Sequence, residues 1–231
     1  MPISIKQFQP GHASDVARLH IQGIKTGFLS TLGNRFLMRL YKDIARTQGS
    51  IVLVACDDNN SLIGFVAGAT DTGKMYKRIL FRCGWHYCIM LFPRACNFVV
   101  LKKIIETMLY SVRFCRRIIY AAREDNYPYR TLSAFRRAKL RFTKNTSNTV
   151  TPVRAELLSI AVDGDNRGKN IGGQLVSALE TFLRNHAVTV YKAVTLSTDI
   201  AANAFYNHSG FALCNQFAHH ENIMNEYHKS L

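Results

Sequence analysis

The stretch Leu157–Gly173, LLSIAVDGDNRGKNIGG, reads as a strand, a basic turn and the opening of a helix. Its first six residues are apolar and β-prone apart from Ser159. The turn is polar, and Arg167, Gly168, Gly172 and Gly173 gather where an amphipathic helix begins. A helix start leaves several backbone N–H groups without internal partners and carries a partial positive charge, while glycine lets an anion approach the backbone closely. Such a turn suits a diphosphate. The plainer alternative is a helix start whose glycines serve only close packing.

Upstream of this stretch, residues 3 to 8 have the pattern of a short strand, and His12 to Lys25 carries Val16, Leu19 and Ile24 at helical spacing. The segment TGFLSTLGNRF, residues 26 to 36, breaks that helix with glycines at 27 and 33. A second helix follows over Arg35 to Ala45, with Phe36, Leu37, Leu40, Tyr41 and Ile44 as its buried stripe. Between the two helices, Phe28, Leu29, Ser30 and Thr31 are either exposed residues lining a substrate pocket or an ordinary linker. IVLVAC (51 to 56) and SLIGFVAGA (61 to 69), separated by DDNN, form an antiparallel hairpin. Downstream, Ile171, Leu175, Leu179, Phe182 and Leu183 mark a helix that packs on the sheet, and Ala193 to Leu196 a strand. Asp199 is placed to cap a short helix ended by Gly210, with final strands at Phe211 to Phe217 and Ile223 to His228.

The 231 residues suffice for one domain carrying a large insertion. Nearly half are apolar, so a packed core is expected and wholesale disorder is not. The net charge of +15 is unevenly spread: Lys74 to Lys144 holds 17 of the 30 Lys and Arg but only three of the 15 acidic residues. The basicity therefore belongs to an insertion over 74–150 within a single domain, 1–231. Ile79 to Leu91 and Phe98 to Tyr120 are expected to be helical and divided near Pro93. Neither reads as membrane-spanning, because Pro93 and Arg94 interrupt the longest apolar run. In the second helix Leu101, Ile105, Met108, Val112, Cys115 and Ile119 form a stripe, with Lys102, Lys103, Arg113, Arg116 and Arg117 largely off it. That face suits an anionic membrane surface; the alternatives are packing on the protein's own core or on a second copy in a homodimer. No recognition motif supports nucleic-acid binding, despite the basic residues from 121 to 150. Six cysteines without CxxC spacing point to a reducing cytoplasm, and Cys83, His86 and Cys88 are too few ligands to argue for a metal.

Two patterns, in their order along the chain, resemble the GNAT superfamily of acyl-CoA-dependent N-acyltransferases. VDGDNRGKNIGG, Val162 to Gly173, resembles that family's acyl-CoA pyrophosphate loop, [QR]-x-x-G-x-[GA], and AANAFYNHSGF, Ala201 to Phe211, resembles its later helix-to-strand motif. The chain departs from the pattern at Asn170, which stands in place of the loop's first glycine. Asparagine tolerates tight backbone geometry better than most residues, so the loop is expected to survive. The resemblance implies an α/β (α+β) fold with a splayed, mixed sheet of about seven strands flanked by helices. It implies acetyl-CoA as co-substrate. The backbone at Ile160 and Val162 would then pair with pantetheine, and N–H groups from Arg167 through Gly168, Lys169, Asn170, Ile171 and Gly172 to Gly173 would cradle the diphosphate.

For the chemistry, the resemblance makes Tyr206 the general acid toward the coenzyme sulfur and places Asn203 beside it on the coenzyme. Asp199, where many relatives have asparagine, is expected mainly to cap the helix. Glu156 precedes the core of the strand and, by simple alternation, shares a face with Ile160 and Val162. It is the candidate general base, with a surface strand-end carboxylate as the alternative. The expected reaction is acetyl transfer to a primary amine. GFLSTLG (27 to 33) with the basic insert resembles GNAT proteins of bacterial surface-polysaccharide biosynthesis. That favours an anionic small-molecule acceptor, an amino-sugar nucleotide or lipid-linked amino sugar, at a cytoplasmic site or at the inner face of the membrane. Rival expectations are acetylation of a protein or another small amine, and a non-catalytic module binding an anionic partner.

Overall fold

The computed structural model describes residues 3–24, 28–95, 153–219 and 222–231. Strands β1 (Ser4–Gln7), β2 (Ser50–Cys56), β3 (Leu62–Ala69), β4 (Ala155–Val162), β5 (Val190–Leu196), β6 (Ala212–His219) and β7 (Asn222–Ser230) form one sheet in the order β1-β2-β3-β4-β5-β7-β6. Every neighbouring pair is antiparallel except β4 and β5, which run parallel. The helices are α1 (Ala13–Gly23), α2 (Phe28–Thr31), α3 (Asn34–Ala45), α4 (Thr72–Ala95), α5 (Ile171–Asn185) and α6 (Ile200–His208). The seven-stranded mixed sheet flanked by helices is the architecture expected from the sequence.

The predicted hairpin is β2–β3. At its turn the Asp57 and Ser61 backbones pair, and Asn60 takes a left-handed conformation with φ 60°. Each face of the sheet carries its own apolar core. On one face Val16, Leu19, Leu37, Tyr41 and Met75 pack from α1, α3 and α4 against Val54, Phe65 and Ala67. On the other, Leu175, Leu179 and Leu183 of α5 and Tyr206 of α6 pack against Val66, Leu157 and Tyr191. Gly68 permits this second contact, since a Cβ there would lie 2.5 Å from Leu179 Cδ1. Glu180, buried among these residues, accepts the Tyr191 hydroxyl and pairs with Lys229 at 2.6 Å, satisfying its charge.

One helix departs from its expected bounds. α4 starts at Thr72, not Ile79, and its backbone continues through Pro93 to Ala95. The missed signal is Asp71, whose carboxylate accepts the Lys74 N–H at 2.9 Å while its carbonyl accepts from Met75. Met75, Ile79, Cys83 and Tyr87, four residues apart, are buried in the first core, so this part of the basic stretch belongs to the compact unit made of residues up to Arg94 and from Val153 on. Tyr87 also donates to the buried carboxylate of Asp43 at 2.7 Å, which Arg39 approaches at 2.8 Å. The helix expected over 98 to 120 and the basic segment to 150 lie outside the described residues. No described helix is long and apolar enough to cross a membrane.

His20 is the buried polar group with the sharpest consequence. It is 2 % exposed, its Nδ1 pairs with the Tyr41 hydroxyl at 2.5 Å, and Tyr41 in turn meets Ser159 Oγ at 2.8 Å. Its Nε2 has no partner among the described residues, and burial pulls the imidazole from 6.5 down to about 4. Below its ordinary value the unfolded chain binds a proton that the folded chain refuses, so stability falls as pH drops through this window and levels off beneath it. Denaturant unfolding at about pH 7.5 and about pH 5 should show a loss of roughly 2 kcal/mol assignable to this group. In His20→Gln that share of the pH dependence should disappear.

Candidate active site

The strand order converges on one opening. β4 pairs with β3 from Glu156 to Val162, but with β5 only at Ala155, Glu156 and Leu157, opposite Tyr191, Lys192 and Ala193. Beyond Leu157 the two parallel strands part. The edge of β4 from Leu158 to Val162 therefore has no ladder on its β5 side, and its backbone groups are available to a strand-like ligand. Ile160 and Val162 lie on this edge.

A β-bulge corrects one inference about this strand. Ala67 stands opposite Ser159 but the next residue, Gly68, stands opposite Leu157, so Leu158 is the extra residue. Leu158 packs on the α1–α3–α4 side and Ser159 bonds Tyr41 there, so the alternation is reset at that point. Ile160 and Val162 pack on the α5–α6 side. Glu156 does not share their face: it accepts the Thr72 hydroxyl at 3.0 Å and lies near Tyr76 on the α4 side. Simple counting by two failed because the bulge inserts a residue.

The loop after β4 has the shape its composition implied. Asp163 leads into a single 3-10 turn, Gly164–Asn166, and Gly168 follows with φ +77°. Asn170, at the motif's glycine position, is left-handed with φ 57° and ψ 22°, directly before α5. The first intrahelical bond runs from Gln174 N–H to Asn170 O, which leaves the N–H groups of Ile171, Gly172 and Gly173 at an unpaired helix start. Gly173 is packed under the Asn170 side chain, and a Cβ on Gly172 would stand 2.8 Å from the Phe205 ring of α6. Arg167 is exposed and lines a cleft of about 230 Å³ with Leu19, Gln22, Gly23, Val162 and Asp163; Lys169 reaches back to Asn166 at 2.7 Å.

Tyr206 and Glu156 approach the parting of β4 and β5 from opposite faces of the sheet. Tyr206 is buried, its ring packed on Phe205, Phe211 and Tyr227. Burial foremost, then the charges of Glu156 and Asp199, push its phenol well above the usual range, so it holds its proton at neutral pH. Burial likewise raises the Glu156 carboxyl, opposed by Lys192 and the Thr72 hydroxyl and reinforced by Glu226. Thr72 and Lys192 escaped the sequence reading because they lie 84 and 36 residues from Glu156 and carry no local pattern.

Asn203, expected on the coenzyme, has its amide engaged within the fold. Nδ2 donates to the carbonyls of Leu196 and Asp199, and Oδ1 accepts from Asn225 Nδ2 and the Tyr227 hydroxyl. These bonds tie the end of β5 to α6 and β7, making Asn203 a brace for the helix that carries Tyr206. Asp199 caps α6 as anticipated, accepting the Ala202 N–H at 3.0 Å. Of the proposed pocket residues Phe28 to Thr31, Leu29 packs partly buried on the first core, and Ser30 Oγ donates to Ile24 O, closing the end of α1; only Thr31 is exposed among the side chains described. Cys83 is buried and receives a bond from Arg39 Nη2, while His86 is exposed, and no group of three His, Cys, Asp or Glu gathers among the described residues.

The tight seat of Gly172 makes a test of the loop. Gly172→Val should destabilise the protein by about 1–3 kcal/mol in denaturant unfolding, because the side chain meets the Phe205 ring. Adding Phe205→Ala should relieve that clash and narrow the gap relative to Phe205→Ala alone.

Residues 101–211 match the model of the acetyltransferase (GNAT) family, a span that takes in β4, the loop, α5, β5 and α6. No curated protein sequence matches the chain. Among solved structures, Ard1 from Thermoplasma volcanium is similar at 12 % identity and a TM-score of 0.55, with 100 % of this chain and 99 % of that one covered. The PaiA N-acetyltransferase of Thermoplasma acidophilum, in complex with coenzyme A, gives 12 % and 0.51, covering 98 % of each chain. A ribosomal-protein-alanine N-acetyltransferase from Brucella melitensis gives 13 % and 0.53, covering 99 % of each. At such identities the structures share a fold, and the acetyltransferase (GNAT) family model, to which just under half of the chain is similar, is matched across the parted strands, the left-handed loop and the capped helix.

Proposed function

We propose that the protein transfers an acetyl group from acetyl-CoA to a primary amine. The observation that carries this reading is the unpaired β4 edge running directly into the glycine-bearing start of α5. An extended amide-containing arm fits along the first, and a diphosphate fits the second. Ile160 and Val162 would hold pantetheine, and the amides from Arg167 to Gly173 the diphosphate, with the Arg167 guanidinium adding charge.

In this reaction the amine must be neutral to attack the thioester carbonyl. The new N–C bond forms as the C–S bond breaks; Glu156 takes the amine proton, and the departing thiolate takes the Tyr206 proton. The raised phenol of Tyr206 supports an acid role, and the raised carboxyl of Glu156 makes it a stronger base than a surface carboxylate. The acceptor we favour is an anionic amino sugar, as a nucleotide or lipid-linked derivative, acetylated in the cytoplasm; a protein amine is the second reading.

Calorimetry should show acetyl-CoA binding, and the absence of binding would remove the enzymatic reading in favour of a non-catalytic module. A screen of amines with free CoA release as readout would then identify the acceptor. Tyr206→Phe should lower kcat by about a hundredfold or more with coenzyme affinity nearly unchanged; unchanged turnover would dismiss it as the acid. For Glu156, activity should rise with pH through a carboxyl value above the ordinary range, since the base must be ionised. Glu156→Gln should lower kcat/KM and erase that limb of the profile.

A further inference from the structure

We propose that the outward face of α4 docks on an anionic phospholipid surface. This goes beyond acetyl transfer and uses only described residues. The face opposite the buried Met75–Ile79–Cys83–Tyr87 stripe carries Phe81 at 83 % exposure and Trp85 at 75 %, one helical turn apart, with Leu80 at 46 % beside them. A lone exposed apolar residue is ordinary, but two adjacent aromatic rings almost wholly in water form a patch without a covering partner among the described residues.

The surroundings of the patch are cationic. A cleft of about 590 Å³ between the end of α3 and α4 is lined by Arg46, Lys77, Arg78 and Arg82 with Thr47 and Phe81, and no carboxylate lines it. Carbonyls that would repel an anion there are already satisfied: Ser50 Oγ donates to Ile44 O and Thr47 O, and Arg78 Nη1 to Gln48 O at 2.7 Å. The nearest carboxylate of α3, Asp43, is buried and engaged by Arg39 and Tyr87. Lys77, Phe81 and Trp85 follow one another at four-residue steps, and Arg78 and Arg82 run alongside.

Cations and aromatic rings interleaved on one helix face match the layering of a bilayer interface. Rings settle at headgroup depth while Lys and Arg stems reach lipid phosphates. A free phosphate would leave the rings in water, so charge and apolar area together select the lipid surface.

Trp85 is the single tryptophan of the chain and reports on its own face. The full chain would be titrated with vesicles of phosphatidylcholine, with and without roughly 30 % phosphatidylglycerol. With the anionic vesicles only, Trp85 emission should shift to the blue, be quenched by brominated lipid, and the protein should float with the vesicles. Lys77→Glu with Arg82→Glu should weaken binding by about tenfold or more, and Phe81→Ser should reduce the shift, both with melting temperature unchanged because all three side chains are exposed. The proposal fails if emission and flotation do not respond, or if both respond equally in these variants, which would assign the binding to residues elsewhere. It fails also if inorganic phosphate alone produces the shift without flotation. Emission already blue in the free protein would overturn it as well, and sedimentation would then say whether a second copy or the chain itself covers Trp85.

Discussion

Two parallel strands that share three residue pairs and then separate define this molecule. β4 is held firmly on its β3 side, so it cannot follow β5, and β5 is committed to β7 from Val190 to Leu196. The wedge between them is a consequence of two competing ladders. The Glu156 carboxyl and the Tyr206 phenol approach its mouth from opposite faces, and the open turn before α5 lies at its end.

Keeping such a wedge open requires both faces of the sheet to be tightly filled around it. Close approaches of helix to strand provide this on either side. On one, Gly23 of α1 comes so near β4 that a Cβ would stand 2.9 Å from that of Ala161. On the other, Gly68 and Gly172 let α5 settle against β3 and α6. The buried His20–Tyr41–Ser159 chain anchors the bulged part of β4 to α1 and α3 with polar bonds. Asn203 does the same for α6, using every polar atom of its amide.

The bulge at Leu158 matters beyond its one residue. By resetting the alternation it sends Glu156 to the α4 side and Ile160 to the α5 side. One strand thus carries an open backbone edge and, on the α4 side, a buried carboxyl. There the Thr72 hydroxyl, at the first residue of α4, bonds the Glu156 carboxylate and ties the strand to that helix.

By itself the sequence determined the order and kind of the elements, because alternation, helical spacing and capping residues are local signals. It showed the hairpin through DDNN, the α6 cap through Asp199, and the loop through Arg167 and its glycines. Asn170 was legible as a tolerable substitute because left-handed geometry is intrinsic to the residue type. Only the tertiary structure decided which face Glu156 occupies, that Asn203 is spent on β5 and β7, and that Leu29 and Ser30 close the end of α1. These depend on a register shift against β3 and on partners tens of residues away, and no periodicity along one strand or helix encodes a relation to another. The separation of β4 from β5 belongs to the same class: it is set by how many pairs each strand forms with its other neighbour, a property of the whole sheet.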